Sequence, residues 1–405
     1  MKFDYDLLVE ILCRLPVESL LRFRCLSKTC CSCIDSPDFI KLHLNRSIKT
    51  RTNRSLVIHE ILPKGSTYAI DLDSSESNRH PMKLHHKFHG DVFGSCNGLL
   101  AIYNGEDLTL WNPATKKHRN LPRFWDHCQS DDKMLRGFGY NAENDDYKVI
   151  VITQLFFMYH PTFWVYSLKA NSLTRTDVLI DCSIINDNRH DSVGVFAGGS
   201  VHWVVNRRGY FDNKVILAFN LNNESFCELP KPRTRSTDLV MYLGELGGSL
   251  AISYPWDCEI WVMKEYGVEE SWTKLFYVSH FRNGMYYKIC DPYLKPLCYS
   301  KTETGHEALL VVQDSEYFLL CDLEKEGTKK LAIFGSLQHK RCNRISANIC
   351  LYTCIRFWKE KLYGLPKPHT KSDPFACLGE IGGSLAISFC LCINVFVDVW
   401  IMKEY

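Results

Sequence analysis

The chain has 405 residues, 46% of them hydrophobic and 23% charged, with a formal net charge of +2. That length holds one large domain and a small one, and that composition excludes the low-complexity classes. Acids and bases are interspersed, so the basic stripe that a nucleic-acid binder needs is missing and no nucleic-acid partner is expected. Nine Trp, twenty Tyr, twenty-two Phe and 23 Gly lean toward β structure. The nineteen Cys are irregularly spaced, and "MKFDYDLLVE" puts charges where the apolar core of a secretory signal would lie. They are expected as reduced thiols, many of them buried, in a cytoplasmic or nuclear protein.

Residues 4–44 read as a small all-α module. Leu8, Ile11, Leu12 and Leu15 recur at helical spacing and form one apolar stripe. Pro16 breaks that helix. Val17, Leu20 and Leu21 make a second stripe, flanked by Glu18, Arg22 and Arg24. Ser27 is placed to cap a third helix through Cys30, Cys31 and Ile34. In "DSPDFIKLHL", Ser36 caps a fourth, Pro37 takes its first position and Asp38 meets its positive end. Roughly forty residues are too few to bury a self-sufficient core. The head is therefore expected to dock on a partner. Leu8, Ile11, Leu12, Leu15, Pro16, Val17, Leu20 and Leu21 are the candidate contacts, some turned into the module and some against the partner. The arginines are its solvated flanks. A polar link is expected over 45–55.

From 56 to 340 the pattern changes to short strands and turns. "LLAIY", "LTLWNP" and "KHRNLP" form one triplet; "DDYKVIVITQ", "FWVYSL" and "SLTRTDV" another; three more follow, and "SLVIHE" and "TYAIDL" look like an earlier unit. Third-strand anchors fall at Trp111, Tyr166, Phe219, Trp261 and Cys321, a loose period of about fifty residues. The fold class expected is mainly β with the helical head. Its body is a kelch-like β-propeller of about six or seven irregular blades, with a β-sandwich as the alternative. The pairs Gly198–Gly199 and Gly247–Gly248 permit close backbone approach near the axis.

Residues 341–405 read as an irregular segment plus a partial duplicate of 229–266. "LPKPRTRSTDLVMYLGELGGSLAIS" (229–253) returns as "LPKPHTKSDPFACLGEIGGSLAIS" (365–388), and "WVMKEY" (261–266) as "WIMKEY" (400–405). We read the copy as a spare, incomplete blade beside a ring that closes without it; the competing reading makes it the last blade. The stretch 381–401 is as long as a membrane span. Yet Gly382, Gly383, Asn394, Asp398 and many β-branched residues favour strands, and no membrane partner is expected.

"HHKFH" (85–89) lacks an acidic or Cys partner at ligand spacing, and neither "CCSC" (30–33) nor "CLC" (390–392) has the paired spacing of a zinc site. No GxSxG elbow or phosphate-binding Gly-Lys loop occurs. No cofactor, metal or catalytic residue is expected. A Cys nucleophile paired with a distant His is the one enzymatic alternative, and nothing in the sequence supports it.

"DLLVEILCRLPVESLLRFRCLSKTC" resembles the F-box of plant F-box proteins. "GSCNGLL", "LWNPATKKHRNLP", "GFGYNAENDDYKV", "HWVV", "ILAFNL" and "WVMKEYGVEESWTKLF" resemble the F-box-associated domain that follows it, as in the S-locus F-box subgroup. The resemblance implies that the head binds a Skp-type adaptor and, through it, a cullin. The β domain would hold a protein substrate by loops on one face, and other subunits would transfer the ubiquitin. In such proteins the cargo can be an immune-receptor protein or a stylar ribonuclease. Two positions depart from the family pattern. No Leu-Pro pair precedes the first helix, and the third helix carries Cys30 where the family has Trp. Truncating a buried Trp costs about 3–5 kcal/mol, against about 5–15 kcal/mol for a whole domain. The alternative reading is accordingly a degenerate F-box on a β domain that only binds protein.

Overall fold

The structure, a computed structural model, describes residues 5–60, 67–74, 81–84, 90–122, 133–154, 161–177, 180, 182–184, 193–208, 213–234, 240–278, 294–313, 317–325, 327–331, 345–351, 376–381, 384–389 and 399–401. Two compact units make up the chain: one is Thr50–Thr353, the other takes Met1–Lys49 and Cys354–Tyr405.

Four helices form the head: α1 (Tyr5–Leu12), α2 (Val17–Phe23), α3 (Lys28–Ile34) and α4 (Pro37–Thr50). The expected caps are in place. Ser27 Oγ accepts the Cys30 N–H at 3.0 Å, and Ser36 Oγ accepts the Phe39 N–H at 3.2 Å. Pro16, extended at φ −61° and ψ 155°, stands before α2. Leu12, Val17, Leu20, Cys33, Ile34, Phe39 and Ile40 form the core. Two polar ties hold the helices around it. The Arg24 guanidinium makes two 2.7 Å hydrogen bonds to the Asp35 carboxylate, and the buried His43 lies with Nε2 2.9 Å from the Leu15 carbonyl. The link expected over 45–55 is mostly helix: "NRSIKT" holds no Pro or Gly, and α4 runs on to Thr50. It stops where Arg51 turns left-handed, at φ 53°. Arg51 then pairs with Glu307 at 3.0 Å and lies 5.0 Å over the Tyr299 ring, while Arg54 donates to the Tyr299 carbonyl at 2.7 Å.

Beyond Thr50 the chain lays down antiparallel sheets in series. Blade 2 is Asp91–Cys96, Leu99–Tyr103, Leu108–Asn112 and Lys117–Asn120; blade 3 is Lys133–Asn141, Asp146–Gln154, Thr162–Ser167 and Ser172–Asp177. Blade 4 is Val195–Ala197, Ser200–Arg207, Lys214–Asn220 and Phe226–Leu229, with Cys182–Ser183 paired to the far end of its second strand. Blade 5 is Tyr242–Leu246, Ser249–Tyr254, Glu259–Met263 and Trp272–Tyr277; blade 6 is Leu294–Lys301, Glu307–Gln313, Tyr317–Asp322 and Gly327–Leu331. Blade 1 is assembled from both ends of the unit. Arg54–Glu60, Thr67–Asp71 and Met82–Leu84 supply its outer three strands, and Ile345–Leu351 its innermost, in register from Arg54↔Leu351 to Glu60↔Ile345. The first strands of successive blades meet one after another around a closed circle. The body is thus a six-bladed β-propeller, and the sandwich alternative falls away.

Each blade is apolar on both faces, so it is stable only between neighbours. Ile150, Ile152 and Phe163 of blade 3 pack on Trp203, Val205 and Leu217 of blade 4. Ile216 and Ala218 of blade 4 meet Leu243, Leu250 and Ile252 of blade 5. Ile260 and Val262 meet Leu309 and Val311; Leu310 and Leu320 meet Leu56 and Ile58; and Val57 meets Leu100 and Trp111. Each such side chain, fully buried, contributes about 1.5–3 kcal/mol. All five predicted anchors lie on third strands.

One sequence reading changes and another gains a backbone reason. The ring does not stop at 340: Ile345–Leu351, in a segment that fitted no unit by pattern, is its closing strand. The pairs Gly198–Gly199 and Gly247–Gly248 are two-residue hairpin turns with both residues at positive φ, from 53° to 90°. Such a turn needs Gly for its backbone angles before any question of close approach. The close approach is present as well: the Gly198 N–H donates to the Gly248 carbonyl at 3.2 Å, and a Cβ on Gly198 would come within 2.6 Å of the Tyr266 ring.

The duplicated tail forms a separate sheet, Ala376–Ile381, Ser384–Phe389 and Val399–Ile401, in that order. Among the described residues it adds no strand to the six blades. "CLC" and "HHKFH" lie outside the described residues. Among those residues no helix is long and apolar enough to cross a membrane.

Candidate functional site

Two surfaces carry binding chemistry, one on each unit. On the head, the eight candidate contacts divide. Leu12, Val17 and Leu20 are fully buried and belong to its core. Leu8, Ile11, Leu15 and Leu21 are half-buried, and Pro16 is exposed. The pattern missed Tyr5, Leu7, Leu42 and Ile48, which are 53%, 51%, 45% and 48% exposed. Their signal was present: Leu42 sits off the stripe of Phe39, Ile40, His43 and Leu44, and an apolar residue outside the buried stripe faces water or a partner. Cys30 is also half-buried, not in the core. A Trp there would enlarge the head's surface instead of filling its interior, so the departure bears on docking more than on folding.

The propeller's two faces differ in how they are built. On one, first and second strands are joined by tight turns: Asn97–Gly98, 142–145, Gly198–Gly199, Gly247–Gly248 and 302–306. Third and fourth strands are joined on that same face, and there Asp71, Asn112, Asn220 and Asp322 each end a third strand. Their side-chain oxygens accept N–H groups two or three residues on, at 2.9 to 3.0 Å. These Asx turns clamp the reversal. Blade-to-blade connections leave from the opposite face, and five of the six are long in sequence: 121–132, 178–194, 230–241, 278–293 and 332–344, against 85–90 between blades 1 and 2. Long connections on a rigid scaffold are the usual seat of recognition.

Described groups on the long-loop side fit binding better than catalysis. Arg136, on the inner strand of blade 3, lies 4.5 Å over the Tyr103 ring and 5.9 Å over Phe93, and burial pulls its pKa down. Trp256 and Tyr277 of blade 5 are 39% and 45% exposed. Beside blade 4 a cavity of about 630 Å³ is lined by Ile180, Cys182, Val215, Leu217 and Phe226, with Arg207 bound to both Glu228 oxygens at 2.6 and 2.7 Å. Among the described cysteines, those whose acidity departs from the ordinary all move upward. Burial raises Cys31, Cys33 and Cys227, and takes Cys321 to about 12. A nucleophilic thiolate needs the reverse shift, so none of these four thiols fits the role of nucleophile.

A helical head with an apolar surface, followed by a six-bladed propeller with one long-looped face, defines a two-part protein-binding chain. Comparison with known proteins supplies the family. Residues 2–42 match the F-box domain and 50–352 the F-box associated beta propeller domain. The Arabidopsis thaliana F-box protein CPR1 is 32% identical over 81% of this chain and 84% of its own length. The F-box/kelch-repeat protein At3g23880 of the same plant is 28% identical over 67% and 78%. Among solved structures, TolB from Acinetobacter baumannii overlaps at a TM-score of 0.31 and 10% identity, over 70% of this chain and 56% of that one, too slight a likeness to argue from. The chain belongs to the plant F-box proteins that carry an F-box-associated β-propeller.

Proposed function

We propose that the chain is the substrate receptor of an SCF-type ubiquitin ligase. Its head docks a Skp-type adaptor, and through it a cullin, while the propeller holds a protein substrate for ubiquitination. The chain itself is non-catalytic and works by holding two partners in proximity, in the cytoplasm or nucleus. What carries this reading is the apolar surface of Leu7, Leu8, Ile11, Leu15 and Pro16 on a head too small to do without a partner. A pull-down with a purified Skp-type adaptor tests it. The wild type should be retained, and Leu8→Asp with Leu15→Asp should abolish retention. Failure of the wild type to bind overturns the proposal.

Cys30 favours a second reading, a protein-binding module whose head no longer docks. Retention of Cys30→Trp where the wild type is not retained would establish it.

A further inference from the structure

Among the described residues two lysines are buried, and the fold treats them differently. Lys148, 5% exposed, is satisfied twice: its ammonium donates to the Leu221 carbonyl at 2.7 Å and to the Glu224 carboxylate at 2.6 Å. Lys214 is 7% exposed, and among the described residues its ammonium holds neither a carboxylate nor a carbonyl. Lysine is almost never so covered unless paired, because a charge taken out of water is costly without a counter-charge. Lys214 opens the third strand of blade 4, opposite Asn206. It therefore lies at the face from which the long connections leave. In step with Ile216 and Ala218, it stands on the side of its blade turned toward blade 5.

The acids around it are engaged by other bases. The segment 230–234 crosses from blade 4 to blade 5. Lys231 donates to the Lys214 carbonyl at 2.8 Å, the Trp272 indole donates to the Pro230 carbonyl at 3.0 Å, and the Thr234 hydroxyl lies 3.4 Å from the Glu259 carboxylate. Glu259 is held by Lys274, and Glu269 and Glu270 by Arg233. At the same end of blade 5, Trp256 stands in the turn between the second and third strands, and Tyr277 lies opposite Glu259. Both rings are exposed, and exposed aromatics are the usual anchors of protein recognition.

We propose that Lys214 anchors an acidic side chain of the protein substrate, whose carboxylate enters the seam between blades 4 and 5 from the long-loop face. That carboxylate gives Lys214 what Glu224 gives Lys148. In a seam with little water the pair is stronger than it would be on the surface. The exposed rings of Trp256 and Tyr277 favour a peptide segment over a free ion. Until the substrate arrives, the ammonium weakens the ring that carries it. The site deepens the substrate-receptor reading, on whose propeller half it rests.

The probe is a fluorescent octapeptide of glutamate, titrated into the full chain and followed by polarisation, with the glutamine octapeptide as control. Saturable binding is expected for glutamate alone. Lys214→Met keeps the apolar stem and removes the charge, and should weaken binding by about tenfold or more. Lys329→Met, on the outer strand of blade 6, should leave it unchanged. Thermal denaturation separates a charge kept for a partner from a structural one. Lys214→Met should melt no lower than the wild type, and sodium acetate should raise the Tm of the wild type more than that of the variant. Failure of the glutamate peptide to bind overturns the proposal, as does equal binding by the glutamine peptide or by Lys214→Met. A fall in Tm on Lys214→Met overturns it by making the lysine structural. The adaptor pull-down reads the head alone, so its failure and the failure of this site are told apart on the same preparation.

Discussion

Blade 5 and the tail sheet put one pairing code in two settings. In the ring, Tyr242–Leu246, Ser249–Tyr254 and Glu259–Met263 are covered on both faces and on their outer edge; in the tail, the same register joins three described strands. Register is thus a local property, written in the Gly-Gly turn and the alternation of side chains. Seating is not local: it needs a neighbour on each side. Two regions of nearly the same sequence should therefore differ sharply in what they contribute to stability.

The largest test concerns closure. A chain ending at Lys340 lacks Ile345–Leu351, so blade 1 loses its inner strand. Its cooperative transition in thermal denaturation should vanish, a loss of the whole domain stability of about 5–15 kcal/mol. A chain ending at Thr353 lacks only the tail and should melt as the full chain does. Equal melting of the two truncated forms would break the distinction between closing strand and spare blade. The next effect compares matched positions. Ile252 is fully buried, so Ile252→Ala should cost about 2–5 kcal/mol in denaturant unfolding of the ring. The same change at its register counterpart Ile387 should stay within about 0.5 kcal/mol.

A smaller effect sits at the seam between blades 4 and 5. His202 is buried with Nδ1 3.0 Å from the Val195 carbonyl and Nε2 2.7 Å from the Tyr266 hydroxyl, and burial lowers its pKa to about 4. The unfolded chain takes up this proton near pH 6.5 and the folded chain only near 4. Its contribution is therefore complete above pH 6.5 and is lost as pH falls toward 4. Between pH 6.5 and 5 the loss is about 2 kcal/mol. Melting curves of wild type and His202→Gln over that range should converge as pH falls; parallel curves would show that the ring is not held neutral.

Much of this architecture was legible in the sequence because it is periodic. Trp111, Tyr166, Phe219, Trp261 and Cys321 mark third strands because each blade repeats the same strand order, with an apolar residue at the end of its third strand or in its middle. The Asx positions one residue past Ile70, Trp111, Phe219 and Cys321 repeat just as regularly and would have sharpened the reading. Ile345–Leu351 escaped because its partner, Arg54–Glu60, lies at the far end of the domain, and no local window contains both. In the head, stripes showed which residues are apolar but not which side of a thin bundle they take. Leu12, Val17 and Leu20 went inward, while Tyr5, Leu7 and Leu42, outside the expected set, went outward.

The division of blade 1 between the two ends of its domain sets a clock on biosynthesis. Arg54–Glu60 leaves the ribosome early, but the strand that completes its sheet emerges only after the other five blades have been made. Throughout that interval the nascent chain carries an open sheet edge of the kind that recruits chaperones or aggregates. Closure joins the most widely separated segments of the ring and is for that reason its slowest contact to form. Translation speed over the stretch before Ile345 should govern how much of the polypeptide reaches its native state.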